Sequence, residues 1–306
     1  MVELAVRDLT KHFGAVRAVR ELTFAVPPGR VTGFLGPNGA GKTTTLRALL
    51  GLVRPTSGEA LVGGRPYADL PEPRRVVGAV LEATGFHPGR RGRDQLRVLA
   101  QVTGVTPGRV DQVLDLVGLA ADAGRRVGEY SLGMRQRLGL GAALLGDPAA
   151  LVLDEPANGL DPEGMAWLRE LLRALAAEGR TILVSSHVLS EVAQVADHVV
   201  IVNQGRLRYA GALRDLGGSG IVTVRVTEVD RLRDALVARG LRVIATSQAT
   251  LSVSGATAED VGRVAVDERI VLSGLSEAAT TLEAAFLDLV RTDTTTADEP
   301  TPAAAR

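Results

Sequence analysis

No cysteine occurs among the 306 residues. Disulfides, thiol catalysis and cysteine-ligated metals are therefore excluded, and the composition fits a reducing cytoplasm. Histidine is nearly as scarce: His12, His87, His187 and His198 are the only four, too scattered for a histidine-rich metal site. Neither sign of charge is in excess, with Lys+Arg and Asp+Glu at 35 each. A globally basic nucleic-acid footprint is thus missing, although the balance still permits a local basic patch. Long apolar runs are missing too. No stretch reaches the roughly 18 residues a membrane-spanning helix needs, and the most apolar region, residues 138–153, is broken by Asp147-Pro148. No basic-then-apolar leader opens the sequence. A role at a membrane would require spanning helices from another chain. Lysine is rare as well: only Lys11 and Lys42 stand among the 35 basic residues, the rest being arginine. A lysine kept where arginine is the habit draws attention to Lys42.

What is present is ordinary for a globular protein: 45% apolar and 23% charged residues, over a length that suits one large domain or a main domain plus a small one. The first 25 residues alternate apolar and polar side chains, which predicts antiparallel strands. Residues 30–35 form a short apolar strand that runs into a glycine-rich turn, and helical spacing follows over 42–53. Residues 76–81 read as a buried strand, and the pattern from Arg93 to about Gly146 is helical. A strand at 150–153, a helix at 162–177, a strand at 181–185, a helix at 188–196 and a strand at 198–202 then alternate. Such alternation predicts an α/β core with a mostly parallel sheet, into which the helical block is inserted.

The run Leu216-Gly217-Gly218-Ser219-Gly220 is a linker signal. Beyond it, strands at 221–226, 241–245, 250–253 and 269–275 with helices between them predict a small α+β domain. A final helix over 277–290 places Leu282, Phe286, Leu289 and Val290 on one stripe, and the Thr/Ala/Pro-rich end predicts disorder. The expected organisation is a main domain at 1–215 with its helical part at about 84–146, a linker at 216–220, a small domain at 221–291 and a tail at 292–306.

Gly36-Pro37-Asn38-Gly39-Ala40-Gly41-Lys42-Thr43 matches the phosphate-loop pattern G-x-x-x-x-G-K-[ST]. Each part has a physical task. The glycines let the backbone curl so that successive N–H groups face phosphate oxygens. The helix that starts near Lys42 adds its positive N-terminal end, next to Thr43 and Thr44. Lys42 is expected to reach the β- and γ-phosphates and the Thr43 hydroxyl to ligate Mg²⁺, which keeps several waters and so needs few protein ligands. A chance glycine-rich turn is the competing explanation, and the strand before and helix after it argue against chance.

Leu151-Val152-Leu153-Asp154-Glu155-Pro156 is an apolar strand ending in two carboxylates. Such a strand delivers its last residues to the mouth of a parallel sheet, where ligands bind. Asp154 is expected to hold Mg²⁺ or its water, and Glu155 to polarise an attacking water as general base. Ser185-Ser186-His187 ends the next core strand. A lone histidine is more often structural, but here its ring would approach the γ-phosphate.

Tyr130-Ser131-Leu132-Gly133-Met134-Arg135-Gln136-Arg137 resembles the signature motif of the ATP-binding-cassette (ABC) ATPases, and it precedes the acidic strand by a helix of about four turns. Asn158-Gly159-Leu160-Asp161 resembles the D-loop of that family, His187 its switch histidine, and Phe13, next to Gly14, its adenine-stacking aromatic. The resemblance spans Met1 to about Gly211. It implies a P-loop NTPase core of RecA type with an N-terminal antiparallel β subdomain and a helical insertion. It also implies ATP and Mg²⁺ as ligands, and an ATPase that works as a head-to-tail dimer. In that dimer Ser131 and the Gly133 backbone of one copy cap the γ-phosphate held by residues 36–43 of the other. Three positions depart from the family. Glu82 stands where the family has glutamine; its carboxylate can ligate Mg²⁺ but adds negative charge near the phosphates. The signature reads Tyr-Ser-Leu-Gly-Met in place of Leu-Ser-Gly-Gly-Gln, keeping the serine and second glycine. Phe13 replaces the commoner tyrosine and stacks as well.

The end of the chain, Leu282-Glu283-Ala284-Ala285-Phe286-Leu287-Asp288-Leu289, is similar to the tail of drug- and antibiotic-exporter subunits of the daunorubicin and bacitracin type. The stretch from Glu82 to Gly89 has the same flavour. That branch implies an ATPase on the inner face of the cell membrane, attached through a separate permease and powering export of a drug, antibiotic or lipid-like molecule. The alternative is a cassette ATPase acting as a soluble regulatory or nucleic-acid-associated protein. Against the nucleic-acid-associated form, Lys42 and Ser131 lie too close for a long coiled-coil insertion, cysteine-bound zinc is excluded, and only one cassette is present, whereas a regulatory module without transport stays open.

Overall fold

The computed structural model describes residues 2–81, 85–216, 221–247 and 249–278, with the single positions 282, 286, 287 and 289. Glu82, the glycine-rich stretch after Leu216, most of the expected last helix and the tail lie outside the described residues. The chain divides into two compact units, Met1–Ala212 and Leu213–Arg306.

The first unit runs β1 (Leu4–Phe13), β2 (Val16–Val26), β3 (Val31–Leu35), α1 (Lys42–Leu49), β4 (Ser57–Val62), α2 (Pro73–Val76) and β5 (Val77–Val80). It continues with α3 (Gly92–Thr103), α4 (Pro107–Leu116), α5 (Leu132–Leu144), β6 (Ala150–Asp154) and α6 (Pro162–Ala177). It ends with β7 (Thr181–Ser186), α7 (Leu189–Ala193), β8 (His198–Asn203) and β9 (Arg206–Ala212).

Two sheets form. A three-stranded antiparallel sheet has the order β2-β1-β4, and a six-stranded sheet has the order β5-β6-β7-β3-β8-β9. All neighbours in the larger sheet are parallel except β9, which runs antiparallel to β8 at one edge. The expected α/β architecture, with its antiparallel β subdomain and helical insertion, is therefore the observed one. The parallel strands are buried on both faces, so their side chains feed two separate cores. Leu151, Leu153, Ile182 and Val184 pack with α3 to α6, while Ala150, Val152, Leu183 and Phe34 pack with α1 and the antiparallel sheet. Period-two alternation within β6 and β7 thus glues the helical insertion to one side and the β subdomain to the other.

Capping chemistry sets several boundaries. α6 starts where the sequence pattern places it, because Asp161 accepts a hydrogen bond from the Gly164 N–H at 2.7 Å and Pro162 occupies the first turn. α1 stops at Leu49, short of the expected Val53, because Gly51 turns the chain left-handed at φ 68°. α7 is likewise shorter than its apolar spacing suggests, ending at Ala193. Two strands, β4 and β9, were not anticipated: the first begins in a glycine turn and the second alternates around arginines.

The second unit holds α8 (Leu213–Leu216), β10 (Ile221–Val226), α9 (Val229–Ala238), β11 (Arg242–Ser247), β12 (Thr250–Ser254), α10 (Ala258–Asp267) and β13 (Leu272–Ala278). Its sheet order β11-β12-β10-β13 is antiparallel throughout, the split βαβ arrangement of ferredoxin-like domains. Val222, Val224, Leu251 and Val253 of the sheet face Leu232, Leu236, Val261 and Val264 of the helices, forming an independent core. A capping box between Thr257 and Asp260 starts α10. Its end displaces the expected strand: Arg269 takes a left-handed turn at φ 55°, so β13 begins at Leu272 rather than at 269.

Leu183 is fully buried at the centre of the larger sheet. Leu183→Ala is expected to lower unfolding free energy by about 2–5 kcal/mol, measured by urea denaturation of the full chain; a loss within experimental error would contradict the packing described.

Candidate nucleotide-binding site

The order of the larger sheet reverses at β3, which lies between β7 and β8 while the chain leaves it for the far edge at β5. Ligands of open α/β sheets bind outside the carboxyl ends of the strands at such a switch point. The carboxyl ends of β3, β6 and β7 carry residues 36–43, Asp154-Glu155 and Ser185-Ser186-His187 respectively.

The loop after β3 is glycine-rich for reasons of space as well as torsion. A Cβ on Gly36 would stand 2.3 Å from the Val202 carbonyl oxygen, and one on Gly41 would stand 2.5 Å from that of Ala18. Gly39 and Gly41 also adopt φ of 80° and 101°, which other residues rarely tolerate. The loop is anchored by Ala40 N–H to Pro37 O at 3.1 Å and by Gly205 N–H to Ala40 O at 3.0 Å. It delivers the chain into the first turn of α1, whose free N–H groups and dipole favour an anion.

Lys42 is buried, with its ammonium donating to Gly36 O at 2.6 Å and lying 3.8 Å from Glu155 Oε1. Desolvation lowers its pKa, and the charges of Glu155 and Asp154 oppose that shift. A buried ammonium held on the carbonyl oxygens of the glycine loop is a group suited to phosphate oxygens. Beside it, the Thr43 hydroxyl donates to Asp154 Oδ2 at 2.7 Å. Two hard oxygen donors therefore meet at one point, the donor chemistry Mg²⁺ selects. Among the described residues no cluster of three or more His, Asp or Glu could hold a metal by itself, and Glu82, the third expected ligand, lies outside them.

Glu155 has a left-handed backbone at φ 48°, a conformation that costs a non-glycine residue roughly 1–2 kcal/mol. Its N–H is held by both oxygens of Ser185, the carbonyl at 3.2 Å and the hydroxyl at 3.0 Å. The turn swings the side chain back over the loop, where Oε2 lies 2.9 Å from His187 Nδ1. His187 remains 44% exposed, so its ring is open to a ligand as well as to Glu155.

An open cleft of about 490 Å³ lies over the loop. It is lined by residues 37–44, Glu155 and, from the β subdomain, the half-exposed Phe13. Lys11 sits 4.9 Å from the Phe13 ring centre. Arg17, Arg20 and Gln204 also line the cleft, and sequence reasoning singled out none of them. Arg17 and Arg20 lie in β2 and Gln204 in the turn between β8 and β9, and none of these positions carries a local sequence signal. Ser185 carries no local signal of a role; the parallel register sets it opposite Asp154.

Ser131 and Gly133 are not among the residues lining this cleft. Ser131 instead caps α5, accepting from Met134 N–H at 3.1 Å, and remains exposed at the helix start. The expected D-loop packs against it. Gly159, at φ 80°, leaves room for the Leu132 side chain, which a Cβ there would meet at 2.2 Å. Gly133 in turn faces the Gly159 carbonyl and Leu160. Further along α5, the Arg137 guanidinium stacks 4.2 Å from the Trp167 ring of α6. The start of α5 and the segment between Glu155 and α6 are thus one packed body.

A family model described as ABC transporter matches residues 19–158, and one described as a domain of unknown function matches residues 220–283. The chain is 45% identical over 203 residues to the bacitracin transport ATP-binding protein BcrA of Bacillus licheniformis, covering 65% of this chain and 66% of that protein. The chain therefore spans slightly less than two thirds of that relative's length. It is 37% identical to the lantibiotic transport ATP-binding protein SrtF of Streptococcus pyogenes, covering 67% of this chain and 88% of that one. A solved structure titled as the ATP binding subunit of an ABC transporter superposes with a TM-score of 0.64 at 30% identity, covering 70% of this chain and 91% of the other. With the phosphate loop, the acidic strand end and His187 gathered at the carboxyl ends of three adjacent strands, this chain belongs to the ATP-binding proteins of the ABC transporter family.

Proposed function

We propose that the chain binds and hydrolyses ATP as the energy-supplying subunit of an ABC exporter. The observation that carries this reading is the meeting of Lys42, the Thr43–Asp154 pair and the Glu155–His187 pair at the carboxyl ends of three adjacent strands. The triphosphate lies along the loop amides, with Lys42 against the β- and γ-phosphates. Mg²⁺, held by Thr43 and Asp154, supplies neutralising charge to the phosphate oxygens. Glu155 takes the proton of the water whose oxygen attacks the γ-phosphorus, and ADP leaves with the β–γ bridging oxygen. His187 holds the Glu155 carboxylate from one side and presents its exposed edge to the γ-phosphate. Phe13 offers an accessible ring for the adenine to stack on.

Exposure of the Ser131 cap, away from the cleft, supports a head-to-tail pair in which each copy completes the other's site with the start of α5. Closing on ATP and opening after hydrolysis would then move the packed α5–α6 body with it. Among the described residues no helix is long and apolar enough to cross a membrane. The transport names of the relatives support a cargo path in a separate permease on whose cytoplasmic side this subunit docks. The bacitracin- and lantibiotic-transport relatives support an antibiotic-like cargo leaving the cell.

Two substitutions test the reading. Glu155→Gln is expected to reduce phosphate release by about 100-fold or more while retaining ATP in a fluorescent-nucleotide binding assay; unchanged turnover would remove Glu155 as the base. Ser131→Arg is expected to suppress turnover through the partner's site yet leave the nucleotide affinity of the isolated chain within about threefold. Equal loss of binding and turnover would contradict completion of the site by a second copy.

A further inference from the structure

The open face of the second unit's sheet presents Thr223, Arg225, Ile244 and Ser252, and nothing in the structure shows what covers it. His198 has a buried Nδ1 without a hydrogen-bond partner among the described residues, beside the equally unpartnered Thr32 hydroxyl. That pair sits at the amino end of β8, away from the chemistry. Ser185 is different: it is fully buried, and its one hydroxyl connects both carboxylate residues of the site.

The geometry assigns Ser185 as the positioning residue that locks Asp154 and Glu155 into one rigid unit. Its O–H donates to Asp154 Oδ1, and its oxygen accepts from the Glu155 N–H at 3.0 Å. Asp154 Oδ2 is already taken by Thr43 at 2.7 Å, so Ser185 removes the remaining rotational freedom of that carboxylate. On the other side the same hydroxyl helps pin the left-handed turn that aims the Glu155 side chain at His187. Asp154 and Ser185 are direct partners in the parallel register of β6 and β7, so the hydroxyl is placed by the sheet and not by a loop. Ser185 reaches neither nucleotide nor water in this scheme. It acts through the two carboxylates, and the inference rests on Glu155 being the base for ATP hydrolysis.

A hydroxyl that only fills space would be replaceable by any group of its shape. Ser185→Thr and Ser185→Val place the same shape in the same space and differ only in the hydroxyl. Steady-state ATP hydrolysis and fluorescent-nucleotide binding by the full-length chain test the assignment. Ser185→Thr is expected to retain kcat within about threefold of the parent. Ser185→Val is expected to lose about tenfold or more in kcat, with the KM for ATP within about threefold. If the two variants turn over equally, or if the loss lies in KM and binding, the assignment is wrong. Should Ser185→Val not fold, Ser185→Ala takes its place in the same comparison, leaving the surrounding packing in position. Failure of the parent chain to hydrolyse ATP would instead count against the proposed function, and Glu155→Gln in parallel separates the two failures.

Discussion

The hydrogen bond from Thr43 to Asp154, at 2.7 Å, joins the two halves of the site across the sheet. Thr43 belongs to α1, which follows β3, whereas Asp154 closes β6, and β7 lies between these strands. The bond can form only if three strands are stacked in the right register with their carboxyl ends level. The buried apolar alternation of β6 and β7 enforces that register, because a shift by one residue would send each side chain into the opposite core. Chemistry at the sheet edge is therefore a consequence of packing well below it.

A second dependence links the carboxylate end to the signature helix. The chain leaves Glu155 in a left-handed turn and reaches Asp161, which starts α6. Between them Gly159 comes against Leu132, and a turn later on each helix Arg137 lies on Trp167. A displacement of Glu155 on nucleotide turnover would press directly on the start of α5. That is a short physical route from the carboxyl end of β6 to the exposed start of α5. The route consists of packed contacts between two helices, without any long-range field.

Legibility differed by the range of the interactions involved. The phosphate loop could be read from eight consecutive residues, since the glycine torsions, the lysine and the threonine are all local requirements. The start of α6 could be read from Asp161-Pro162 for the same reason. Strands β4 and β9 could not, because their stability comes from pairing with β1 and β8 and not from their own pattern. Ser185 was overlooked as a site residue because serine at a strand end carries no chemistry until the opposing residue is known. Arg17 and Arg20 of β2 and Gln204 of the β8–β9 turn line the cleft only because the tertiary fold brings these distant segments to the loop.

By itself the sequence determined what short-range chemistry demands: a glycine loop around a rare lysine, an apolar strand ending in two carboxylates, a histidine after the next strand, and a resemblance specific enough to name a family. Tertiary structure decided which of these meet. It brought Lys42, Asp154, Glu155 and His187 together at the carboxyl ends of three strands and left Ser131 outside the cleft over the loop. It also turned Glu155 left-handed and set the Ser185 hydroxyl between the two acidic residues. Torsional and capping preferences act over a few residues and are written into neighbouring letters. The register of parallel strands joined by long crossovers depends on side chains buried on both faces at once, and no local stretch of sequence contains it.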